Sequence, residues 1–320
     1  MAVPNSNTLG GANTKFTTWN AKGVNHPVKR SKIFAHLSKL KTDIAFLTET
    51  HLLNKNHNML KRGGFSQIFH SKFDAKFRGT AILIHRDVQF VQSKVLSGSD
   101  GRYIIVQGHL FNIPVILACV YAPNWDNAKF FSDLFSLLPD MNSHNLILGG
   151  DLNTVLCPGL DRSRTTPGTL SKSAETIKAF LQAYGVIDVW RYKHPGSRQY
   201  SFFSAAHQSY CRLDYLLMDR RLLPFLKSSE CESIVISDHG PVTMTLGFPN
   251  NEPPQRIWRL NSRLLSNEEF VAFINSQIDF FTETNKHPDT SHCTFWETMK
   301  AYLWDQIIIF NSGLNKSQQN

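Results

Sequence analysis

What this 320-residue chain lacks narrows it first. No apolar run approaches the roughly 18 residues that a membrane-spanning helix needs. The opening "MAVPNSNTLGG" has no apolar stretch of the kind a secretory signal carries. The five cysteines (Cys119, Cys157, Cys211, Cys231, Cys293) are odd in number and contain no CxxC pair. That pattern argues against structural zinc and for reduced thiols. No internal repeat is visible. Acid is scarce toward the front. Residues 1–250 carry 28 Lys and Arg against 17 Asp and Glu, a formal +11, whereas 251–320 carry 6 against 8, a formal −2. A basic front part suits a polyanion such as nucleic acid, although a solvated basic surface without a partner has the same charge. The expected location is intracellular, nucleus and cytoplasm, with no membrane partner.

What is present begins with a 42% apolar fraction, enough for a sizeable core. Residues 1–14 are polar and read as a loose tail. Strand patterns recur at "KFTTWN", "DIAFLTETH", "GTAILIH", "YIIVQGHL", "PVILACVYAP", "NLILGGDLN", "QYSFFS", "YCRLDYLLM", "ESIVIS" and "PVTMTLGF". "GTAILIH" and "YIIVQGHL" suggest neighbours in an antiparallel meander. Helical patterns lie at "KRSKIFAHLSKLK", at "DNAKFFSDLFSLLPD" with Asp126 as cap candidate, and at "SKSAETIKAFLQAYG" with Ser171 or Ser173 as cap and Gly185 as stop. Many short strands among a few helices predict an α/β sandwich: two packed sheets flanked by helices, rather than a strictly alternating parallel fold. Composition shifts at "PNNEPPQ", giving a main domain over 15–248 and, over 249–320, a linker plus two amphipathic helices. Ser266 and Glu269 have capping-box spacing at the start of the first.

The strand ends are polar. Asn20 closes "FTTWN", Glu49 and His51 close "AFLTETH", and Tyr121 closes "ILACVY". Asp151 and Asn153 close "LILGGDLN", and Asp238 and His239 follow "SIVIS". Strand alternation puts Glu49 with His51, and Asp151 with Asn153, on shared faces. Asp214 sits inside the apolar "CRLDYLL". Each residue alone reads as a solvated carboxylate or a structural acceptor. Several strands delivering such groups at one end form the pattern of a site on a rigid scaffold. The chemistry it suits is phosphodiester hydrolysis. Glu49 with Asn20 offers oxygen ligands to Mg²⁺, and Asp151 with Asn153 can align and deprotonate water. Asp214 can fix and charge His239, and Tyr121 can donate to a phosphate oxygen. If the strand stops at Ser237, Asp238 and His239 can both face that phosphate.

"TETH", "VYAPN", "ILGGDLNT", "LDRS", "YSFFSAAHQSYCRLDYLL" and "ISDHGPV", in this order, resemble the endonuclease/exonuclease/phosphatase superfamily. More narrowly, they resemble the N-terminal endonuclease of the second open reading frame protein of vertebrate long interspersed (non-LTR) retrotransposons. The resemblance covers about residues 15–248. It implies a four-layered α/β sandwich with a C-terminal helical extension. It also implies a Mg²⁺-dependent nick in double-stranded DNA, with Mn²⁺ as a substitute metal, leaving a 3′-hydroxyl for a reverse transcriptase region downstream in the same polyprotein. Carried over by motif, Glu49 is the metal ligand with Asn20 and Asp238 nearby. Asp151, Asn153, Tyr121, Asp214 and His239 form the catalytic set, with the general base left open between Asp151 and His239. Lys22 stands where abasic-site repair members have an acid, which argues against repair, and no polymerase-like "ADD" occurs.

For holding DNA, the resemblance implies that "QYSFFSAAHQSYCR" is a minor-groove hairpin with Ser201, Ser204 and Ser209 near the backbone. Arg162 and Arg164 are candidates for gripping phosphates, and His51 for touching the site or DNA. The competing readings are an inositol or lipid phosphate phosphatase on the same scaffold, and a DNA-binding module that has lost activity.

Overall fold

Alternation decides which face each strand buries. In the computed structural model, which describes residues 12–71, 73, 76–164, 169–248, 262–285 and 291–317, it builds two six-stranded sheets. The chain runs through β1 (Ala12–Asn20), α1 (Pro27–Lys39), β2 (Ile44–Thr48), β3 (Phe65–Ser71) and β4 (Thr80–His85). Next come β5 (Phe90–Ser97), β6 (Tyr103–Leu110), β7 (Ile113–Tyr121), α2 (Ala128–Ser136) and β8 (Asn145–Asp151). Then follow α3 (Pro158–Asp161), α4 (Lys172–Tyr184), β9 (Val186–Asp188) and α5 (Val189–Lys193). A small hairpin, β10 (Phe202–Ser204) and β11 (Ser209–Cys211), precedes β12 (Asp214–Asp219), β13 (Leu226–Cys231) and β14 (Val242–Phe248).

The first sheet has the order β13-β14-β1-β2-β4-β3 and the second β5-β6-β7-β8-β12-β9. Two pairs are parallel, β1 with β2 across α1 and β7 with β8 across α2; all others are antiparallel. Phe46, Ile82 and Ile84 of one sheet meet Val115, Leu117, Cys119 and Leu216 of the other in the central core. The alternate residues face outward: Ala45, Leu47 and Leu83 pack beneath Ile33, Phe34 and Leu37 of α1. Ile116, Ala118 and Leu148 pack beneath Phe131 and Leu134 of α2 and Ile177 and Phe180 of α4. This is a four-layered mixed α/β sandwich. Gly149 is required where the sheets touch, because a Cβ there would lie 2.5 Å from the Phe46 ring.

The structure differs from the sequence reading at several places. β1 begins at Ala12, so residues 12–14 belong to the sheet; residues 1–11 lie outside the described residues. β4 and β6 lie in different sheets, and the meander is β5-β6-β7; β5 has a mostly exposed, weakly alternating pattern that hid it. "ESIVIS" is no strand: β13 ends at Cys231 and residues 232–238 run without ladder pairing. Asn127, not Asp126, caps α2, accepting from Phe130 N; Asp126 instead accepts from the N–H groups of Lys172 and Ser173. Ser171 caps α4, and Gly185 ends it in the left-handed conformation, φ 63°.

The chain divides into two compact units at Pro253/Pro254. In the second, α6 (Glu268–Asn285) and α7 (His292–Ser317) pack through Phe270, Ile307 and Phe310. Asn267 caps α6 through Phe270 N, so the Ser266–Glu269 capping box does not form. The linker expected at 249–255 lies outside the described residues.

Candidate active site

Parallel pairing brings strand ends together. Asn20 lies opposite Thr48, one residue before Glu49, and Tyr121 lies opposite Asp151. Antiparallel β12 starts where β8 ends, with Asp214 opposite Asp151. Asn20 then joins the two sheets: its Nδ2 donates to Glu49 Oε1 and to Asp151 Oδ2, both at 2.9 Å. Its Oδ1 accepts from Lys22 N at 3.0 Å, which fixes the amide orientation. Asn20 was expected as an oxygen ligand beside Glu49. As placed, it presents nitrogen to both carboxylates and bridges them.

Glu49 also receives His51 Nε2 at 3.2 Å and the Tyr121 hydroxyl. Burial alone would raise its pKa, but the hydrogen bonds from His51, Asn20 and Tyr121 outweigh it and hold the carboxyl at about 2. Tyr121 is pushed up by burial and by the charge on Glu49, so its phenol keeps its proton.

His239 is nine-tenths buried. Its Nδ1 lies 2.7 Å from Asp214 Oδ2, its Nε2 3.8 Å from Asp151 Oδ2, and its ring 4.6 Å from Phe202. Burial works against its charge, but Asp214 and Asp151 prevail and lift its pKa to about 9. Asp151 is fully buried. Burial pushes its pKa up to about 7, His239 opposing and Asp214 assisting. Asp151 is therefore poised near neutrality, with the His239 imidazole as the cation.

Irregular backbone aims several of these groups. Lys22, Glu49, His51 and Asn153 all have left-handed φ, between 46° and 53°. Such values are uncommon for residues with a Cβ and concentrate where surrounding structure over-determines the chain. Strand alternation therefore does not explain why Glu49 and His51 meet, since β2 has already ended at Thr48. Asn153 likewise lies past β8; it is held by its N–H to Asp151 Oδ1 and by its amide to Ala122 O. The 232–238 loop is pinned to β1 by Ser237 Oγ donating to Asn20 O at 2.9 Å, and Trp19 Nε1 donates to His239 O at 2.9 Å. His239 consequently faces Asp214, whereas Asp238 faces Lys22 Nζ at 2.6 Å. Asp238, expected near the metal, has its carboxylate occupied by this ammonium.

Among the residues expected to hold DNA, Arg162 and Arg164 are exposed, and Arg162 lines a 180 Å³ groove with Asn153 and Trp125. Ser204 accepts from His207 N inside the hairpin tip, and Ser209 is half-buried. Ser201 is a correction. It is fully buried, and its hydroxyl accepts from the N–H groups of Leu213 and Asp214, both at 3.0 Å. It cannot reach a DNA backbone; it fixes the start of β12 and thereby Asp214.

Sequence reasoning missed two features. One is the Lys22–Asp238 pair. The other is a buried ion network in which Arg212, 0% exposed, binds Asp161 and Asp188 while Arg191 also binds Asp161. It locks the Arg162 loop to the β10–β11 hairpin and to β9. The acid in "LDR" and the Arg in "CRLD" were visible, but their meeting across 51 positions was not.

The donors of Asp151, Asp214 and His239 lie within 4.8 Å of one another. A cationic imidazole has no free lone pair, so this cluster is not a good metal cage. The chemistry of Glu49 fits a hard divalent cation better: a carboxylate kept ionised and 21% exposed.

The fold is that of an AP endonuclease-like sandwich. It superposes on the AP endonuclease LMAP of Leishmania major with a TM-score of 0.62 at 19% identity, covering 74% of this chain and 88% of that one. It superposes on the catalytic domain of Xenopus laevis APE2 with a TM-score of 0.61 at 20% identity, covering 75% and 94%. Residues 17–239 match the Endonuclease/Exonuclease/phosphatase family, and the chain belongs to it. It is also 25% identical over 268 residues to the Transposon TX1 uncharacterized 149 kDa protein of Xenopus laevis, covering 81% of this chain. It is 25% identical over 273 residues to the RNA-directed DNA polymerase from mobile element jockey of Drosophila funebris, covering 83%. The matched part spans only 20% and 27% of those proteins. No helix among the described residues is long and apolar enough to cross a membrane.

Proposed function

We propose that this chain is the DNA-nicking endonuclease of a non-LTR retrotransposon, hydrolysing one phosphodiester of a double-stranded target to leave a 3′-hydroxyl. The observation that carries this reading is the Asn20 bridge, which holds the ionised Glu49 and the proton-poised Asp151 beside a charged His239.

Each residue then has a task set by its electrostatics. Glu49 would hold Mg²⁺ or Mn²⁺, and the cation would supply positive charge against the phosphoryl group and its leaving oxygen. Asp151, with a pKa near neutrality, accepts the proton of the attacking water, and Asn153 orients that water or the phosphate. His239, kept protonated by Asp214, donates to a non-bridging phosphate oxygen as negative charge builds there. Tyr121 keeps its proton, with which it donates to Glu49 in this structure; turned toward substrate, the same hydroxyl would donate to a phosphate oxygen. The water–phosphorus bond forms, the P–O3′ bond breaks, and the departing oxygen takes a proton from solvent. The relatives named from a transposon and a mobile element support a target-cutting role, with reverse transcription assigned to a region beyond these residues.

The test is nicking of supercoiled plasmid. Open-circle product should form with Mg²⁺, stop with EDTA and return with Mn²⁺. Asp151→Ala and His239→Ala should be inactive yet folded. A preparation that releases phosphate from inositol phosphates and leaves plasmid intact would replace this reading by a phosphatase. Gel-shift binding without any cut would replace it by a binding module.

A further inference from the structure

On the Glu49 side of the site lies an open groove of about 540 Å³. That volume is within the range of small-ligand sites. Phe73, Phe77 and Trp125 stand in it, 48%, 62% and 57% exposed, and Lys22, Lys76, Arg78 and Arg102 line it. One exposed ring on a protein surface needs no explanation; three in one groove with four cations do. The rings are paired with guanidinium groups. Arg78 stands 4.4 Å from the Phe73 ring centre, and Arg102 stands 5.6 Å from Trp125 and 5.5 Å from Tyr121. Arg102 is itself almost fully buried and is anchored by donating to Tyr121 O at 3.2 Å, so this wall is built rather than loosely draped.

Rings and cations in one groove match a particular chemistry. Flat π-faces stack on nucleobases, and cations meet the phosphates between them. In paired duplex the base faces are hidden in the stack, so exposed rings find partners only where bases are unpaired. We infer that this groove binds unpaired nucleotides of the DNA strand next to the scissile phosphate, stacking bases on Phe73, Phe77 and Trp125 while Lys22, Lys76 and Arg78 hold the backbone and the buried Arg102 backs the Trp125 ring. The inference rests on the DNA-nicking reading and deepens it: the preferred target is DNA already frayed or locally opened beside the cut.

The probe is a short DNA duplex with a three-nucleotide unpaired segment carrying 2-aminopurine, set against the fully paired duplex, both in EDTA. Wild-type protein should bind the unpaired probe about tenfold more tightly by anisotropy and quench its 2-aminopurine. The double variant Phe77→Ala/Trp125→Ala should bring the two affinities within twofold and abolish quenching. Phe77→Trp should keep both. Both side chains are surface groups, and circular dichroism checks the fold of each variant. Equal affinity for the two duplexes, or quenching that persists in the double variant, would overturn the inference. Plasmid nicking by the wild type, run alongside, separates the readings: nicking without quenching sinks the groove alone, and quenching without nicking sinks the nuclease assignment alone.

Discussion

His239 Nδ1 lies 2.7 Å from Asp214 Oδ2, and the pair is buried on both sides. Twenty-five residues separate them in sequence, and neither stands on the same strand. The contact fixes which ring nitrogen faces Asp151 and holds the imidazole cationic against its own burial. Asp214→Asn should therefore keep the hydrogen bond and lose the charge. Nicking should fall by about 10²–10⁴-fold, the usual worth of a positioned acid or base. The alkaline limb of the pH profile should also move below its wild-type position. A variant with full activity and an unchanged profile would remove Asp214 from the mechanism.

The pH dependence follows from the two values. Asp151 acts as base only when deprotonated, so activity should rise as pH increases through about 7. His239 acts only when protonated, so activity should fall as pH increases through about 9. The expected profile is a bell with its plateau between them. Plasmid nicking in buffers from pH 5.5 to 10.5 checks this; a flat profile across that range contradicts the assigned roles.

Glu49 should govern metal affinity. Glu49→Gln keeps the shape but removes the ionised oxygen, so Mg²⁺ should bind at least tenfold more weakly by calorimetry. The same variant should lose the rise in melting temperature that Mg²⁺ confers on the wild type. Unaltered Mg²⁺ binding would place the metal elsewhere.

The ion network around Arg212 predicts a stability effect distant from the chemistry. Asp161→Ala leaves two arginines, one fully buried, short of a partner, and should cost about 3–5 kcal/mol in urea unfolding. Replacing Asp161 and Arg212 together by apolar residues should cost less, because no unpaired charge remains. A single variant as stable as wild type would mean the network is solvated.

The β10–β11 hairpin has its root at the site and its tip in solvent. Phe203 N donates to Asp238 O at 3.0 Å, while residues 205–208 are exposed. Exchanging residues 204–209 should redirect where a plasmid is nicked while altering the overall rate less. Mapping the nick positions before and after the exchange decides it, and an identical map refutes a targeting role.

Much of this was legible in the chain. Continuous apolar runs such as "IAFLT" and "AILI" announce their own burial, because a strand between two layers must present apolar groups to both. β5 and β9 were not legible: one is mostly exposed and the other only three residues long. "ESIVIS" looked like a strand because propensity reports side-chain type and not ladder partners. The family resemblance put Ser201 near DNA, but a motif does not report burial: here its oxygen accepts from two amide groups across the hairpin base.

The sequence by itself determined the layers and the kinds of chemical group at the strand ends, since local alternation and residue type need no knowledge of distant partners. Only the tertiary structure decided what those groups do to one another. Asn20 meets Asp151 across 131 positions, Lys22 meets Asp238 across 216, and Trp19 meets His239 across 220. Charge state and orientation at the site follow from these long-range contacts, because a pKa is set by what lies within a few ångströms in space, wherever it lies along the chain.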